Sequence, residues 1–161
     1  MSVDIRHATL EDSDELLDLW HGFTDHLSRF DERYLHSEDA DDRWLRYFEN
    51  QLVDSKYGTV LVADAGDELV GVLEARITGD HPIFRISDHG YIHGHYVVDE
   101  YRGEGVGDQL IDAAVEWFAQ SERDVSFCRV DVLDGDDRAR SAYENMSFEP
   151  VEHTYELHIE E

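Results

Sequence analysis

Arg102-Gly103-Glu104-Gly105-Val106-Gly107 joins an apolar run ending at Val97-Val98 to an amphipathic pattern that begins at Val106. A strand, a glycine loop and a helix start in that order form an anion site. The first N–H groups of a helix have no intrahelical partner and carry the positive end of its dipole. Glycine lets a phosphate reach them without a side chain in the way. Two nucleotide signatures fit poorly: the dinucleotide fingerprint expects glycine where Asp108 stands, and the Gly-Lys-Ser/Thr of the P-loop is absent.

Residues able to move protons stand just before that loop. In a regular strand His93 and His95 share one side, and a neutral imidazole accepts an ammonium proton near neutral pH. Packed, hydrogen-bonded histidines are the competing reading. Glu74, on the preceding strand, is the next candidate base, and a chain of waters can replace any single one. His-x-His also raises a metal centre, but no Cys or second His pair at a recognisable spacing completes it, so no metal is expected. The single cysteine, Cys128, has no His paired to it by spacing and reads as a small buried hydrophobe rather than a nucleophile. It excludes an internal disulfide and agrees with a reducing compartment.

A second motif lies farther along the chain, Asp136-x-x-Ala139-x-x-x-Tyr143-Glu144-Asn145-Met146-Ser147-Phe148. Arg102, Gly105 and Gly107 match the Arg/Gln-x-x-Gly-x-Gly/Ala signature of the GNAT superfamily of N-acetyltransferases, and this second segment resembles that family's Asn-x-x-Ala-x-x-x-Tyr-Glu-Lys-x-Gly-Phe. Asp136 stands where the family has Asn, and Ser147 where it has Gly. The resemblance is most specific from Tyr91 to Phe148. It implies direct transfer of an acetyl group from acetyl-CoA, a co-substrate, to a primary amine within a ternary complex. The acceptor would be a small-molecule or peptide amine. The loop from Arg102 through Gly103, Glu104, Gly105, Val106, Gly107 and Asp108 would cradle the pyrophosphate. Backbone groups of Tyr96, Val97 and Val98 would pair with the pantetheine arm, Asp136 would take the position that contacts that arm, and Tyr143 would be the general acid for the leaving thiolate. A strand-four N–H near Val97 would serve the oxyanion, as backbone donors do in acyl transfer. A non-catalytic acyl-CoA-binding or regulatory module is the alternative, and a core aromatic is the competing reading of Tyr143.

The elements that must position these residues follow from periodicity. Val3, Ile5 and His7 alternate in a first strand, and Thr9 or Asp12 can cap a helix whose apolar face is Leu16, Leu17, Trp20, Phe23, Leu27 and Phe30. A second helical face runs through Trp44, Leu45, Phe48 and Leu52. Strands are expected at 59–63 and 69–77 around a Gly66-Asp67 turn, at 91–98 after a loop over 79–90, and at 125–133. Helices are expected from Val106 to Phe118 and over 137–146, and Tyr155, Leu157 and Ile159 alternate in a last strand. The helix between strands four and five makes them parallel neighbours by a right-handed crossover. The expected class is α+β, a GNAT-like mixed and mostly antiparallel sheet with strands four and five parallel and splayed, and helices on both faces. One domain spanning 1–161 is expected.

Charge sets the remaining bounds: 39 acidic residues face 13 basic ones, a formal net charge of −26. Nucleic acid is an unsuitable partner, because binding it requires Lys and Arg to neutralise phosphates. Self-repulsion on this scale is tolerated where salt screens it, so the expectation is a halophilic, cytoplasmic protein. An acidic surface that gathers cationic amines is the competing reading. No apolar run reaches the roughly 18 residues of a membrane span, and the start has no basic segment followed by an apolar one. No membrane association is expected, and the last strand leaves a homodimer open.

Overall fold

A computed structural model describes residues 2–79 and 82–159. Asp80 and His81, within the expected 79–90 loop, lie outside the described residues. The elements run in the order β1 (Asp4–His7), α1 (Ser13–Ser28), α2 (Ala40–Tyr47), β2 (Gly58–Asp64), β3 (Leu69–Thr78), β4 (His89–Val97), α3 (Val106–Ala119), β5 (Cys128–Val130) and α4 (Asp137–Asn145). A five-residue π turn, Phe48–Leu52, continues α2.

The five strands form one sheet in the order β1-β2-β3-β4-β5. The first four pair antiparallel, and β4 pairs parallel with β5. The expected mixed class is therefore the observed one. The Gly66-Asp67 turn joins β2 to β3, with Gly66 at a positive φ of 105° and its N–H donating to Asp64. Before α1, the Thr9 N–H donates to Asp12 Oδ2, and Arg6 grips both Asp12 oxygens at 2.9 Å, which ties β1 to the start of the helix.

Each sheet face has its own core. On one, Leu16, Leu19 and Trp20 of α1 and Phe48 and Leu52 of the π turn cover Val60, Val62 and Val72. On the other, Val106, Leu110, Ile111, Ala114 and Phe118 of α3 cover Leu61, Ala63, Leu73, Ala75 and Ile92. Buried apolar area of this kind is the main favourable term in folding. The helices come close enough that β4 needs glycine. A Cβ at Gly94 would lie 2.6 Å from the Trp20 ring of α1, and one at Gly90 2.6 Å from the Phe118 ring of α3.

Three differences from the sequence reading are local. The α1 face turns on Leu19 as well as Leu16 and Trp20, whereas Phe30 lies past the helix end and is exposed. Strand five is three residues long rather than the expected 125–133, because it pairs only with Gly90, Tyr91 and Ile92 before β4 and β5 part. No strand follows α4 among the described residues. Tyr155, Leu157 and Ile159 keep their alternation but are 91%, 86% and 91% exposed. Alternation says which face a strand would bury, whereas a strand exists only where a neighbouring backbone takes up its N–H and C=O groups.

Candidate active site

The gap that β4 and β5 leave is created by a defect in β4. Glu74 opposes Gly94 and Ala75 opposes Ile92, so His93 has no partner on β3 and forms a β-bulge. The bulge shifts the alternation by one residue. Ile92 and His95 both lie toward α3, and Gly94 and Tyr96 toward α1. His93 and His95 are thereby separated, against the expectation for a regular strand. His93 is exposed and stacks on Tyr91 with ring centroids 4.9 Å apart, while His95 turns inward.

Beyond the bulge, the open edge of β4 follows from its register. The Val98 N–H donates to Val70 O, and Val97 opposes Gly71. Residues alternate in an antiparallel pair, so Tyr96 and Val98 direct their backbone groups to β3, and His95 and Val97 direct theirs into the gap. Of the three expected positions Tyr96, Val97 and Val98, only Val97 thus presents its backbone to the gap; His95, a candidate base by residue type, joins it there. Arg102 Nε occupies the Val97 carbonyl at 3.0 Å, its guanidinium also pairs with Asp99 at 3.0 Å, and it lies 5.6 Å from the centre of the Tyr96 ring. The Val97 N–H and both backbone groups of His95 remain directed at the gap.

The glycine loop follows directly on this edge. Gly103 and Gly105 have φ of 81° and 84°, a region strained for residues with a Cβ, and Gly105 is the N-cap of α3. Nothing lies within 4 Å of where a Cβ on either would be, so the surface over the loop is open. Val106, Gly107 and Asp108 form the first turn of α3, and Val106 is buried beneath it. The basic side chain in this stretch, Arg102, is turned back onto β4, so the loop offers backbone donors to an anion, with Glu104 and Asp108 close by.

His95 and Tyr143 meet below this edge. The Tyr143 hydroxyl lies 2.9 Å from His95 Nδ1, and His95 Nε2 lies 3.2 Å from Gly107 O. A carbonyl can only accept, so Nε2 carries the proton and Nδ1 accepts from the phenol. Burial pulls His95 down to about 4, which keeps the ring neutral in this arrangement. Burial, with the Asp136 charge as a smaller cause, pushes Tyr143 well above the ordinary phenol value. The tyrosine also packs on Phe148, edge to face at 5.4 Å, so its core reading and its chemical reading describe one position.

The turn around α4 fixes that tyrosine. Asp136 caps α4 by accepting from the Ala139 N–H at 3.1 Å. At the other end Ser147 adopts φ of 75°, with Phe148 N–H on Tyr143 O and Ser147 N–H on Glu144 O, so the helix stops in a Schellman turn without the family's glycine. Asp136 is buried, and its second oxygen faces His26 Nε2 of α1 at 3.3 Å. His26 had no signal in the sequence, since it lies 110 residues away. Its Nδ1 and the Trp20 Nε1 are buried without a hydrogen-bond partner among the described residues.

Glu74 is buried on the α1 side of the sheet, accepting from Trp44 Nε1 at 3.2 Å and the Tyr47 hydroxyl at 3.1 Å, while Arg76 donates to that hydroxyl at 3.0 Å. Its two oxygens are thus held by α2. Cys128 sits on β5, and burial raises its thiol, which leaves it protonated and poorly nucleophilic.

The arrangement has clear relatives. Residues 20–148 match the model of the Acetyltransferase (GNAT) family. An "Uncharacterized N-acetyltransferase" of Archaeoglobus fulgidus is 31% identical over 124 residues, which cover 77% of this chain and 79% of that protein. Among solved structures, a mutant of the BH1408 protein from Bacillus halodurans superposes with a TM-score of 0.77 at 19% identity, covering 97% of this chain and 99% of that one. The aminoglycoside N-acetyltransferase AAC(6')-Iy, in complex with CoA, superposes with a TM-score of 0.73 at 18% identity, covering 98% and 94%.

Proposed function

The chain belongs to the GNAT acetyltransferase family, and on that footing we propose that it moves an acetyl group from acetyl-CoA to a primary amine by direct attack in a ternary complex. The observation that carries this reading is continuity. The open, positive-φ glycine loop at the start of α3 runs into the unpaired edge of β4, and a half-buried phenol lies beside that edge. Pyrophosphate would be received by the backbone from Gly103 to Asp108, and the His95 backbone groups would pair with the pantetheine arm, which leaves the Val97 N–H free for the thioester oxygen. Arg102 would serve by holding the Val97 carbonyl rather than by reaching phosphate. Asp136 would shape the mouth of the gap as a helix cap, since its oxygens are already held by Ala139 and His26.

In this reading the amine attacks the thioester carbonyl, the C–N bond forms as the C–S bond breaks, and the proton for the leaving thiolate comes from Tyr143. The Val97 N–H is the oxyanion donor. His93 at the bulge is the base that takes the ammonium proton, with Glu74 less suited because Trp44 and Tyr47 already engage it. His95 is withdrawn from the role of base and becomes the residue that positions Tyr143. The acidic surface, with its −26 formal charge, suits a cationic amine as acceptor and a salty, cytoplasmic setting.

Calorimetry with acetyl-CoA, ATP and NAD, followed by an assay for free thiol with a panel of amines, tests the proposal. Preferred binding of acetyl-CoA with amine-dependent thiol release supports it. Binding without release under any amine points to the non-catalytic acyl-CoA module, and preference for ATP or NAD removes the reading.

A further inference from the structure

The β4 gap is bridged on both faces of the sheet by side-chain hydrogen bonds. β4 and β5 pair only over Gly90 to Ile92 and Cys128 to Val130, so past those residues no backbone ladder between them sets their distance. On the α3 side the bridge is the Tyr143 hydroxyl to His95 Nδ1, 2.9 Å. On the α1 side it is His26 Nε2 to Asp136 Oδ2, 3.3 Å. A carboxylate oxygen accepts, so the His26 N–H is the donor. Helix α1 is itself seated on β4: a Cβ on Gly94 would lie 2.6 Å from the Trp20 ring, and a Cβ on Gly22 would lie 2.6 Å from the Tyr96 hydroxyl. Gly135, at φ of 91°, brings the chain before α4 up to α1, where its Cβ position is 3.8 Å from Phe30.

Neither His26 nor Asp136 is explained by its local role alone. A cap for α4 needs one acceptor, which Ser or Thr supplies, yet position 136 is a buried carboxylate whose second oxygen requires a donor of its own. His26 provides that donor. Its Nδ1 is left buried without a partner among the described residues, an arrangement that opposes folding. The ring also packs edge to face on Phe30, with centres 5.5 Å apart, a contact that an apolar side chain would make with no polar atom unpaired. What the imidazole adds is its hold on Asp136.

In the reaction proposed above, Tyr143 gives its single hydroxyl proton to sulfur, and that proton cannot at the same time remain on His95. The bridge on the α3 side therefore opens in each turnover. The bridge between His26 and Asp136 includes no reacting atom and stays closed. Asp136 opens α4 by accepting from the Ala139 N–H, and Tyr143 stands about two turns farther along the same nine-residue helix. We propose, resting on that reading of the reaction, that His26 is a positioning residue for acetyl transfer: from α1 it holds Asp136, and through α4 it keeps the Tyr143 hydroxyl in place beside the open edge of β4. The helix seated on β4 thus carries the bond that fixes where the acid stands.

Steady-state kinetics, calorimetry with acetyl-CoA and amide hydrogen exchange over 137–145, all on the same variants, test this role. His26→Ala should lower kcat roughly 10-fold, toward the 10²-fold that about 1 Å of misplacement can cause. Acetyl-CoA affinity should barely change, because the loop proposed for pyrophosphate leads into α3. His26→Gln, whose amide N–H can take the place of Nε2–H, should restore most of the loss. Asp136→Ser keeps a cap for α4 but is too short to meet His26; it should match His26→Ala, and the double variant should be no worse than either. In a Tyr143→Phe background His26→Ala should cause no further loss of kcat, whereas a general loss of stability would add to it. Exchange should quicken over 137–145 in both single variants and stay unchanged in α3. Unchanged exchange in His26→Ala, quickened exchange with unaltered kcat, or losses that add to that of Tyr143→Phe overturn the proposal. Absence of amine-dependent thiol release from the unsubstituted protein removes the transfer reaction and this role together, and quickened exchange in that case would leave only the hold of His26 on α4.

Discussion

Tyr143 and His95 share one proton path: the phenol donates to Nδ1 at 2.9 Å because Nε2–H of the same ring is committed to the Gly107 carbonyl, 3.2 Å away. The carbonyl belongs to the first turn of α3, so the glycine loop that would receive phosphate also sets the orientation of the candidate acid. A change at either end of this chain of contacts should be felt at the other.

If Tyr143 protonates the departing thiolate, Tyr143→Phe keeps the ring against Phe148 and removes only the proton. The turnover number should fall by roughly the 10²–10⁴ of general acid catalysis while acetyl-CoA affinity barely moves. Steady-state kinetics beside calorimetry on the same variant checks this, and near-normal turnover would return the tyrosine to the core alone.

His95 carries a pH signature in stability. Its folded value of about 4 lies below the unfolded value near 6.5, so between those limits the unfolded chain binds more protons than the folded one. Linkage then makes stability fall as pH drops from about 6.5 to 4, with the contribution fully present above that window. Denaturant unfolding across the window should show a shallower pH dependence in His95→Gln than in the unsubstituted protein. Equal slopes would mean that His95 is not held neutral by the fold.

His95 is protonated only near pH 4, so an acidic limb of kcat/KM at higher pH has another source. His93→Ala should remove that limb if His93 accepts the ammonium proton. A limb that survives unchanged shifts the role to Glu74 or to water.

At Gly105 a valine would have to hold φ of 84°, which is strained for a β-branched residue although no atom lies within 4 Å of the new Cβ. Gly105→Val should weaken acetyl-CoA binding at least tenfold while the far-ultraviolet dichroism stays that of the folded protein. Unchanged affinity in a folded variant would place the pyrophosphate elsewhere.

With 39 acidic against 13 basic residues, self-repulsion should be relieved by salt. The thermal midpoint is expected to rise by several degrees between dilute buffer and molar KCl. A midpoint that stays flat or declines would contradict the halophilic reading.

What could be read from the sequence was short in range. The glycine loop declares itself because the residues that make it are consecutive, and α1 and α3 because their apolar positions repeat within a few turns. The β4 bulge was not legible: in His-Gly-Tyr-Ile-His-Gly-His-Tyr-Val either register is compatible with alternation, and Glu74 and Ala75 on the neighbouring strand decide that His93 is skipped. That one shift separates the two histidines and moves the gap-facing backbone from Tyr96 and Val98 to His95 and Val97. His26 against Asp136 was hidden for the same reason, since tertiary packing alone joins the two. The alternation of Tyr155, Leu157 and Ile159 misled in the opposite direction, because a pattern fit for a strand found no backbone to pair with among the described residues.

The most direct test of the account is the initial rate of free-thiol release as acetyl-CoA and an accepted primary amine are varied together. Direct transfer in a ternary complex predicts release that depends on amine, with double-reciprocal lines that intersect, and a pattern unchanged in Cys128→Ala. Release that proceeds without amine, or parallel lines that report an acetyl-enzyme intermediate, would contradict it.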